Sequence, residues 1–225
     1  MPINLVVGGS KGIGLEVLKQ MVELGPTVNM SRTIPNVQSN NLTNYQVDIL
    51  NTGYPEFEGL NTITYCPGSI NLKPFLSLKE EDYKNEFDIN FFGLVRLISN
   101  YSKLLKKSKS TSIVLFSTVA VGTGMPYHTS IAAAKGALEA YGRSLAAELA
   151  PKVRVNIIAP SVTDTDLAAH LLRNDKMRES TEERHPLKRI LTSKEISDIV
   201  MMLHNSPGIT GQVIHADNGM SSLRV

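Results

Sequence analysis

Closely spaced glycines near the amino terminus could hold a phosphate group. They stand in Gly8-Gly9-Ser10-Lys11-Gly12-Ile13-Gly14, between the apolar residues 3–7 and a helical pattern over residues 13–24. In such a strand–turn–helix unit, Gly8 permits a tight turn, Gly12 lets the backbone approach a diphosphate, and Gly14 lets helix and strand pack closely. The helix N-terminus adds free N–H groups and positive potential. The segment therefore predicts a dinucleotide-binding turn, with contacts from Gly8, Ser10, Lys11, Gly12, Ile13 and Gly14.

Two cations near this turn indicate which dinucleotide it binds. Ser31 and Arg32 follow the second predicted strand, residues 27–30. A site selective for NAD usually has an acidic residue here for the ribose 2′-hydroxyl, whereas a guanidinium suits the 2′-phosphate of NADP(H). Lys11 adds a second positive charge at the same end. The sequence favours NADP(H), with Ser31 and Arg32 among its contacts; the alternative is two surface cations without a role.

The elements that must position these residues alternate between short apolar runs and helical patterns. That order is typical of βαβ units around a parallel sheet, and it predicts a single α/β domain over residues 1–225, Rossmann-like and doubly wound. Strands are predicted over residues 3–7, 27–30, 45–47, 62–65, 112–116, 153–158 and 212–215, and helices over residues 13–24, 80–105, 129–149 and from 193 onward. The polar stretch 33–44, which contains Pro35, predicts a shortened crossover helix. Residues 163–192 are charged and irregular and predict a mobile substrate lid.

The composition argues against several classes of partner. The chain has 225 residues, 42% of them hydrophobic, which suits one sizeable core. Its net charge of +2 gives no general attraction to nucleic acid or anionic membranes, and no apolar run approaches the roughly 20 residues of a membrane span. The single cysteine, Cys66, fits a reducing compartment, and the histidines lack metal-ligand spacing. We expect a cytoplasmic protein with no metal and no nucleic-acid or membrane partner.

Short segments along nearly the whole chain stand in the order found in one enzyme family. They are residues 5–14, Val47-Asp48-Ile49, Cys66-Pro67-Gly68, Asp88-Ile89-Asn90-Phe91-Phe92-Gly93, Ile158-Ala159-Pro160-Ser161-Val162-Thr163 and residues 211–219. Together they resemble the short-chain dehydrogenase/reductase family. The resemblance implies further cofactor contacts from Asp48, Ile49, Cys66, Pro67, Gly68, Asn90, Pro160, Ser161, Val162 and Thr163. Departures from the family pattern are Val7 for Thr, Cys66-Pro67-Gly68 for Asn-Ala-Gly, and Ser161 for Gly.

The same resemblance implies a set of catalytic residues. Family members reduce carbonyls or oxidise alcohols by hydride transfer with a nicotinamide. A Tyr four residues before a Lys exchanges the proton, the Lys holds the ribose, and a Ser about 13 residues before the Tyr binds the substrate oxygen. Lys135 and Asn90 match the family's lysine and asparagine, which makes Lys135 a cofactor contact as well. Counting back four from Lys135 gives Ile131, which has no titratable proton, and thirteen more gives Thr118, whose hydroxyl can still donate to a carbonyl oxygen.

Proton transfer is therefore the open question of the sequence. Tyr127 and His128 are the nearby proton carriers, and a substrate group or water is the alternative. A well-placed general acid typically contributes about 10²- to 10⁴-fold, so slow turnover can survive its loss. One hypothesis is an NADP(H)-dependent oxidoreductase acting on a small carbonyl or alcohol. The other is a cofactor-binding protein without turnover, acting as a sensor, partner subunit or scaffold, and non-redox chemistry on the same fold is a third. The resemblance also implies a homo-oligomer, a dimer or tetramer.

Overall fold

The computed structural model describes residues 1–51 and 53–224. Its strands are β1 Ile3–Val7, β2 Thr27–Ser31, β3 Leu42–Gln46, β4 Leu60–Tyr65, β5 Thr111–Phe116, β6 Val153–Pro160, β7 Thr163–Asp164, β8 Leu191–Thr192 and β9 Val213–Ala216. Seven of them form one sheet in the order β3-β2-β1-β4-β5-β6-β9. Every neighbouring pair is parallel, which confirms the predicted doubly wound α/β fold.

Helices cover both faces of this sheet. They are α1 Gly12–Leu24, α2 Glu80–Phe87, α3 Gly93–Asn100, α4 Ser102–Lys107, α5 Ala120–Thr123, α6 Thr129–Leu149, α7 Asp175–Glu183 and α8 Ser193–Asn205. Side chains alternate between faces along a strand, so Leu5 of β1 joins the core that includes α3 and α6, while Val6 joins the core that includes α1 and α8. The near-continuous apolar runs of the central strands follow from this burial on both sides.

The predicted helix over residues 80–105 is wrong as one continuous helix. A π-helical turn, Asp88–Phe92, separates α2 from α3, and the N–H of Gly93 bonds the carbonyl of Asp88, five residues earlier. The side-chain amide of Asn90 donates to the carbonyl of Glu86 over 3.0 Å, a carbonyl that the backbone would use in a regular helix. Apolar periodicity cannot reveal such an insertion, because the buried stripe continues across it.

The structure also corrects the predictions for two segments, residues 33–44 and residues 163–192. Residues 32–41 contain no helix, so the expected crossover helix is absent rather than shortened. Residues 163–192 are not irregular throughout: they contain α7 and a 3₁₀ helix, Asp166–Leu171. The parallel pair β7–β8 joins the two ends of this segment. We call residues 163–192 the lid; its mobility stays a prediction.

Candidate functional site

The candidate site lies at the carboxyl edge of the sheet, where ligands of such folds bind. The turn after β1 depends on its glycines. Gly8 and Gly12 have φ of 82° and 52°, values that favour glycine. A Cβ added to Gly14 would lie 2.2 Å from the carbonyl oxygen of Gly8, so no side chain fits there. The buried Asn29 of β2 holds the turn in place, because its Oδ1 accepts from the Gly9 N–H over 3.1 Å.

This turn fits the diphosphate of a dinucleotide. Helix α1 begins at Gly12, and among the described residues no side chain caps its N-terminus, so its first N–H groups remain available to an anion. A cavity of about 470 Å³ opens there, lined by Gly12, Asp164, Thr165, Asp166, Ala169, Leu172, Arg173 and Arg178. The glycine cradle, the unfilled donors and the adjacent cavity are what a bound diphosphate needs.

The two cations expected near the 2′-phosphate lie in different settings. Arg32 is exposed directly after β2, and its carbonyl accepts from Gln46 Nε2 over 3.0 Å. Ser31 is buried and donates to the carbonyl of Thr33. Lys11 instead points to the lid, where its Nζ lies 3.1 Å from Asp166 Oδ2 in an exposed ion pair. Within residues 1–51 and 53–224, the guanidinium of Arg32 makes no hydrogen bond or ion pair, whereas Lys11 links the turn to the lid.

Two further segments predicted to contact the cofactor follow β3 and β4. Ile49 is buried, and Asp48 accepts from the N–H of Leu50 through its side chain. Cys66, the first residue of the Cys66-Pro67-Gly68 segment, donates its N–H to the carbonyl of Val7, which holds the segment against the glycine turn. Burial raises the pKa of the Cys66 thiol to about 12, which makes it a packed side chain rather than a nucleophile.

Lys135 and Ile131 share the buried side of α6. Ile131 is 3% exposed and Lys135 is 6% exposed. Lys135 Nζ donates to the carbonyl of Phe116 over 2.8 Å, at the end of β5. Burial lowers the pKa of Lys135 to about 8, against the charges of Glu86 and Cys66, which raise it. The lysine is thus held at the edge of the sheet with its charge only partly stabilised.

The two hydroxyl groups after β5 have different roles. Ser117 is buried and donates to Glu139 Oε1 over 2.6 Å, so its hydrogen is committed to α6. Thr118 is partly exposed, and its oxygen accepts from the N–H of Ala120 over 3.3 Å. Among the described residues, the Thr118 hydroxyl donates to no acceptor, and its contact with a substrate oxygen stays a prediction.

Tyr127 and His128, the two predicted stand-ins for proton transfer, lie in the turn before α6. Tyr127 has φ of 69° and is 57% exposed. His128 is half-buried, and its Nδ1 lies 2.7 Å from the carbonyl oxygen of Pro126. Within the described residues, no hydrogen bond joins either side chain to Lys135 or Thr118, so the structure does not bring them together with the other candidates.

A buried polar cluster surrounds Asn90. Its Oδ1 accepts from the N–H of Ser69 over 3.2 Å, and its Nδ2 donates to Ser69 Oγ over 3.0 Å. Ser69 Oγ in turn donates to Glu86 Oε1 over 3.1 Å. A Cβ added to Gly68 would lie 3.2 Å from Asn90 Oδ1 and 3.7 Å from Lys135 Nζ, so the cluster adjoins the lysine. Sequence reasoning missed Ser69 and Glu86; the available signal was a carboxylate four residues before Asn90 on a helix.

The segment after β6 is tied to the lid. Pro160 ends β6, Val162 accepts the N–H of Leu191 through its carbonyl, and Thr163 begins β7. Ser161 Oγ lies 2.9 Å from Nε2 of His185, a fully buried lid residue whose Nδ1 lies 2.8 Å from the carbonyl oxygen of Thr181. A carbonyl only accepts, so Nδ1 carries a hydrogen, while Nε2 shares a hydrogen bond with the Ser161 hydroxyl. This contact gives Ser161 a role that glycine cannot fill.

The described residues contain neither a metal-binding cluster nor a membrane-spanning helix. Among residues 1–51 and 53–224, no group of histidine, cysteine and acidic side chains could hold a metal ion. Within the same residues, none of the helices has the length and apolar content to cross a membrane.

Comparison with known proteins finds relatives that are named as reductases. The model of the enoyl-(acyl carrier protein) reductase family matches residues 48–221. A tropinone reductase homologue of Arabidopsis thaliana is 31% identical over 96% of this chain and 89% of its own. The 3-oxoacyl-[acyl-carrier-protein] reductase FabG of Chlamydia muridarum is 27% identical over 96% of this chain and 96% of its own.

Solved structures share the fold over nearly the full length. A short chain dehydrogenase family protein from Francisella tularensis subsp. tularensis SCHU S4 superposes with a TM-score of 0.90 at 24% identity, covering 99% of this chain and 100% of that one. ElxO with NADP bound gives a TM-score of 0.88 at 20% identity, covering 99% of each chain. The family model and the plant relative, together with the glycine turn and Lys135, show that this chain belongs to the short-chain dehydrogenase/reductase family, whose members are oxidoreductases with a nicotinamide cofactor.

Proposed function

We propose that this chain is an NADP(H)-dependent oxidoreductase that acts on a small carbonyl compound or alcohol. The observation that supports the proposal is a set of residues suited to a phosphorylated dinucleotide: the glycine cradle, Arg32 directly after β2, and Lys135 of α6, whose Nζ reaches the end of β5. Relatives named as tropinone reductase homologues and as FabG, and the NADP-bound ElxO structure, support a carbonyl substrate and the phosphorylated cofactor.

The residues of this chain divide the work. When bound, the cofactor donates or accepts the hydride. The N–H groups at the start of α1 would hold its diphosphate, the Arg32 guanidinium its 2′-phosphate, and Lys135 its nicotinamide ribose. Thr118 donates to the substrate oxygen and orients the carbonyl. Asn90 and Gly68 set the position of the loop that adjoins Lys135.

A second candidate is a cofactor-binding protein without turnover, acting as a sensor, partner subunit or scaffold. Ile131 favours it, because a buried alkyl side chain stands where the family has its proton donor. The two candidates share every cofactor contact and differ only in proton transfer. Tyr127, His128, a substrate group and water are the proton carriers that the oxidoreductase proposal leaves to be tested.

The cofactor part is tested by comparing NADPH with NADH in thermal-shift and calorimetric titrations of the wild type and Arg32→Ala. A ligand that binds only the folded state stabilises it by RT ln(1 + [L]/Kd), so we expect a larger shift with NADPH. Loss of hydrogen bonds to a charged group costs about 1.5–3 kcal/mol, and Arg32→Ala should therefore weaken NADPH binding about 10- to 100-fold and leave NADH binding nearly unchanged.

Lys109→Ala is the control, since this exposed cation precedes β5 at the opposite edge of the sheet. It should leave both affinities as they are. Equal shifts with the two cofactors would contradict the role given to Arg32. A panel of small ketones and aldehydes with NADPH then decides between the two candidates, because any turnover excludes a protein that only binds.

A further inference from the structure

A buried carboxyl group beside Lys135 has no part in the chemistry above. Glu86 of α2 is 3% exposed. Its Oε1 accepts from Ser69 Oγ over 3.1 Å, and its Oε2 lies 3.2 Å from Asn90 Nδ2, whose two hydrogens make shorter bonds to Ser69 Oγ and to the Glu86 carbonyl. Burying a carboxyl group is costly unless hydrogen bonds or charges compensate it. Its place next to the candidate site therefore requires a chemical explanation.

The hydrogen bonds of Ser69 depend on the protonation state of Glu86. A hydroxyl has one hydrogen and two lone pairs, and Asn90 Nδ2 already donates to Ser69 Oγ over 3.0 Å. While Glu86 is ionised, the Ser69 hydrogen is donated to its carboxylate. Once Glu86 carries a proton, it can donate to the second lone pair of Ser69, and the Ser69 hydrogen becomes free for another acceptor.

Ser69 is well placed to meet such an acceptor. It follows Gly68, at which an added Cβ would lie 3.7 Å from Lys135 Nζ. The same loop reaches the start of α6, where Ser130 Oγ donates to the carbonyl of Asn71 over 3.5 Å, one residue before Ile131. Ser69 is half-buried rather than enclosed. It therefore belongs to a loop that adjoins Lys135 at Gly68 and contacts the first turn of α6 at Asn71.

We propose that Ser69 and Glu86 form the proton-delivery pair of this site, in place of a titratable side chain at position 131. The inference rests on the proposed function. In reduction, the carbonyl π bond breaks, the carbon accepts a hydride from the reduced nicotinamide, and the oxygen accepts the proton of Ser69. Ser69 regains a proton from the Glu86 carboxylic acid, which is left as a carboxylate and is reprotonated from water. The alcohol and the oxidised nicotinamide are the products.

The charges around Glu86 suit this role. Burial raises the pKa of Glu86, and the Asp82 carboxylate one turn earlier raises it further, while the Ser69 hydrogen bond and the Lys135 charge lower it. Glu86 therefore keeps its proton to a higher pH than an exposed glutamate does. Reduction should slow as the pH rises through the pKa of this group, because the pair then has no proton to give.

The activity test compares Glu86→Gln and Ser69→Ala with the wild type in NADPH-dependent carbonyl reduction across pH. A positioned general acid contributes about 10²- to 10⁴-fold, so each variant should lose at least about a hundredfold in kcat. Glu86→Gln should also lose the limb of the pH profile that Glu86 produces, with NADPH affinity by calorimetry held within about twofold. Glu81→Gln is the matched control, because Glu81 is an exposed carboxyl of the same helix, and it should keep both the rate and the profile.

A second measurement needs no turnover. Carbon-13 NMR can titrate the glutamate carboxyl groups of the cofactor-free protein, and the resonance missing from Glu86→Gln identifies Glu86. We expect its midpoint above that of Glu81, and higher still in Ser69→Ala, because the carboxylate then loses a donor. A midpoint at or below that of Glu81 would overturn the proposal. So would a wild-type pH profile in Glu86→Gln that is lost in Tyr127→Phe or His128→Phe. A wild type that binds no NADPH would instead overturn the proposed function itself, and with it the role of the pair.

Discussion

Ile131, whose side chain is alkyl, and Lys135, one turn later, both lie on the buried side of α6. The spacing of the family proton donor is thus preserved while its chemistry is lost. Glu139 accepts from Ser117, whereas the oxygen of Thr118 accepts from the N–H of Ala120. Under the proposed function, oxygen binding by Thr118 and proton donation belong to different residues of this chain.

Restoring the phenol tests that separation. Ile131→Tyr should raise the rate of NADPH-dependent carbonyl reduction by about 10²-fold or more, the contribution of a positioned general acid. The measurement is initial rate over a panel of ketones and aldehydes. Ile131→Phe is the control, since it adds the ring without the hydroxyl and should give no rise. Equal rates in the two variants would contradict a family-like arrangement of Thr118 and Lys135.

Much of this site could be predicted at the level of single residues, and some could not. The glycine turn, Lys135, Thr118 and Asn90 stand at fixed spacings along the chain. Glu86 and Ser69 are 17 residues apart and meet because the loop after β4 lies against α2. His185 reaches Ser161 across 24 residues because the lid returns to the end of β6. No local pattern encodes contacts of this kind.

Among the elements, the lid is the one whose attachment departs from the family pattern. Its ends are joined by β7 and β8, and its interior is fastened by the Ser161–His185 contact. The sequence predicted α6 and the buried central strands closely because their apolar patterns are strong, but it placed β3, which is mostly exposed, at residues 45–47 and missed β7 and β8. The prediction of an irregular lid was wrong because most residues of α7 are polar or charged and its buried residue is Thr181, so no apolar stripe marks the helix.

Removing the Ser161–His185 hydrogen bond should make the lid more mobile. Ser161→Ala leaves a fully buried imidazole nitrogen without a partner, which costs about 1–3 kcal/mol. We expect a lower melting temperature and faster amide hydrogen exchange in α7, with exchange in β5 changing less. Ser180→Ala, an exposed serine of the same helix, is the matched control and should leave exchange in α7 slow. Equal exchange in the two variants would show that the contact does not hold the lid.

At the scale of the whole molecule, we propose that aromatic side chains on one side of the sheet mediate assembly into a homo-oligomer. Phe91 lies 5.2 Å from Phe92 and 5.8 Å from Tyr141 between ring centroids, and it also contacts Phe87. Phe92 is 44% exposed although it is a large apolar residue. These four rings span the π-helical turn and α6, where the family resemblance implies the pairing helices.

A charge placed in this cluster should disrupt assembly. Phe92→Glu is expected to shift the mass in light scattering or sedimentation from a dimer or tetramer toward a monomer, since a carboxylate in an apolar interface loses its hydration. Phe75→Glu is the control: Phe75 is 65% exposed on the loop before α2 and should leave the mass unchanged. A wild type that is monomeric at micromolar concentration would contradict the proposal.

The side-chain amide of Asn29, in β2, affects how fast and how tightly a ligand binds. Asn29 accepts from Gly9 N–H and donates to Ser31 Oγ and to Asn44 Oδ1, so three neighbouring strands share a single anchor. The glycine turn and Ser31, the residue before Arg32, are thereby held in one arrangement in the ligand-free protein. Little chain freedom is left to be lost on capture, which keeps more of the contact energy for affinity.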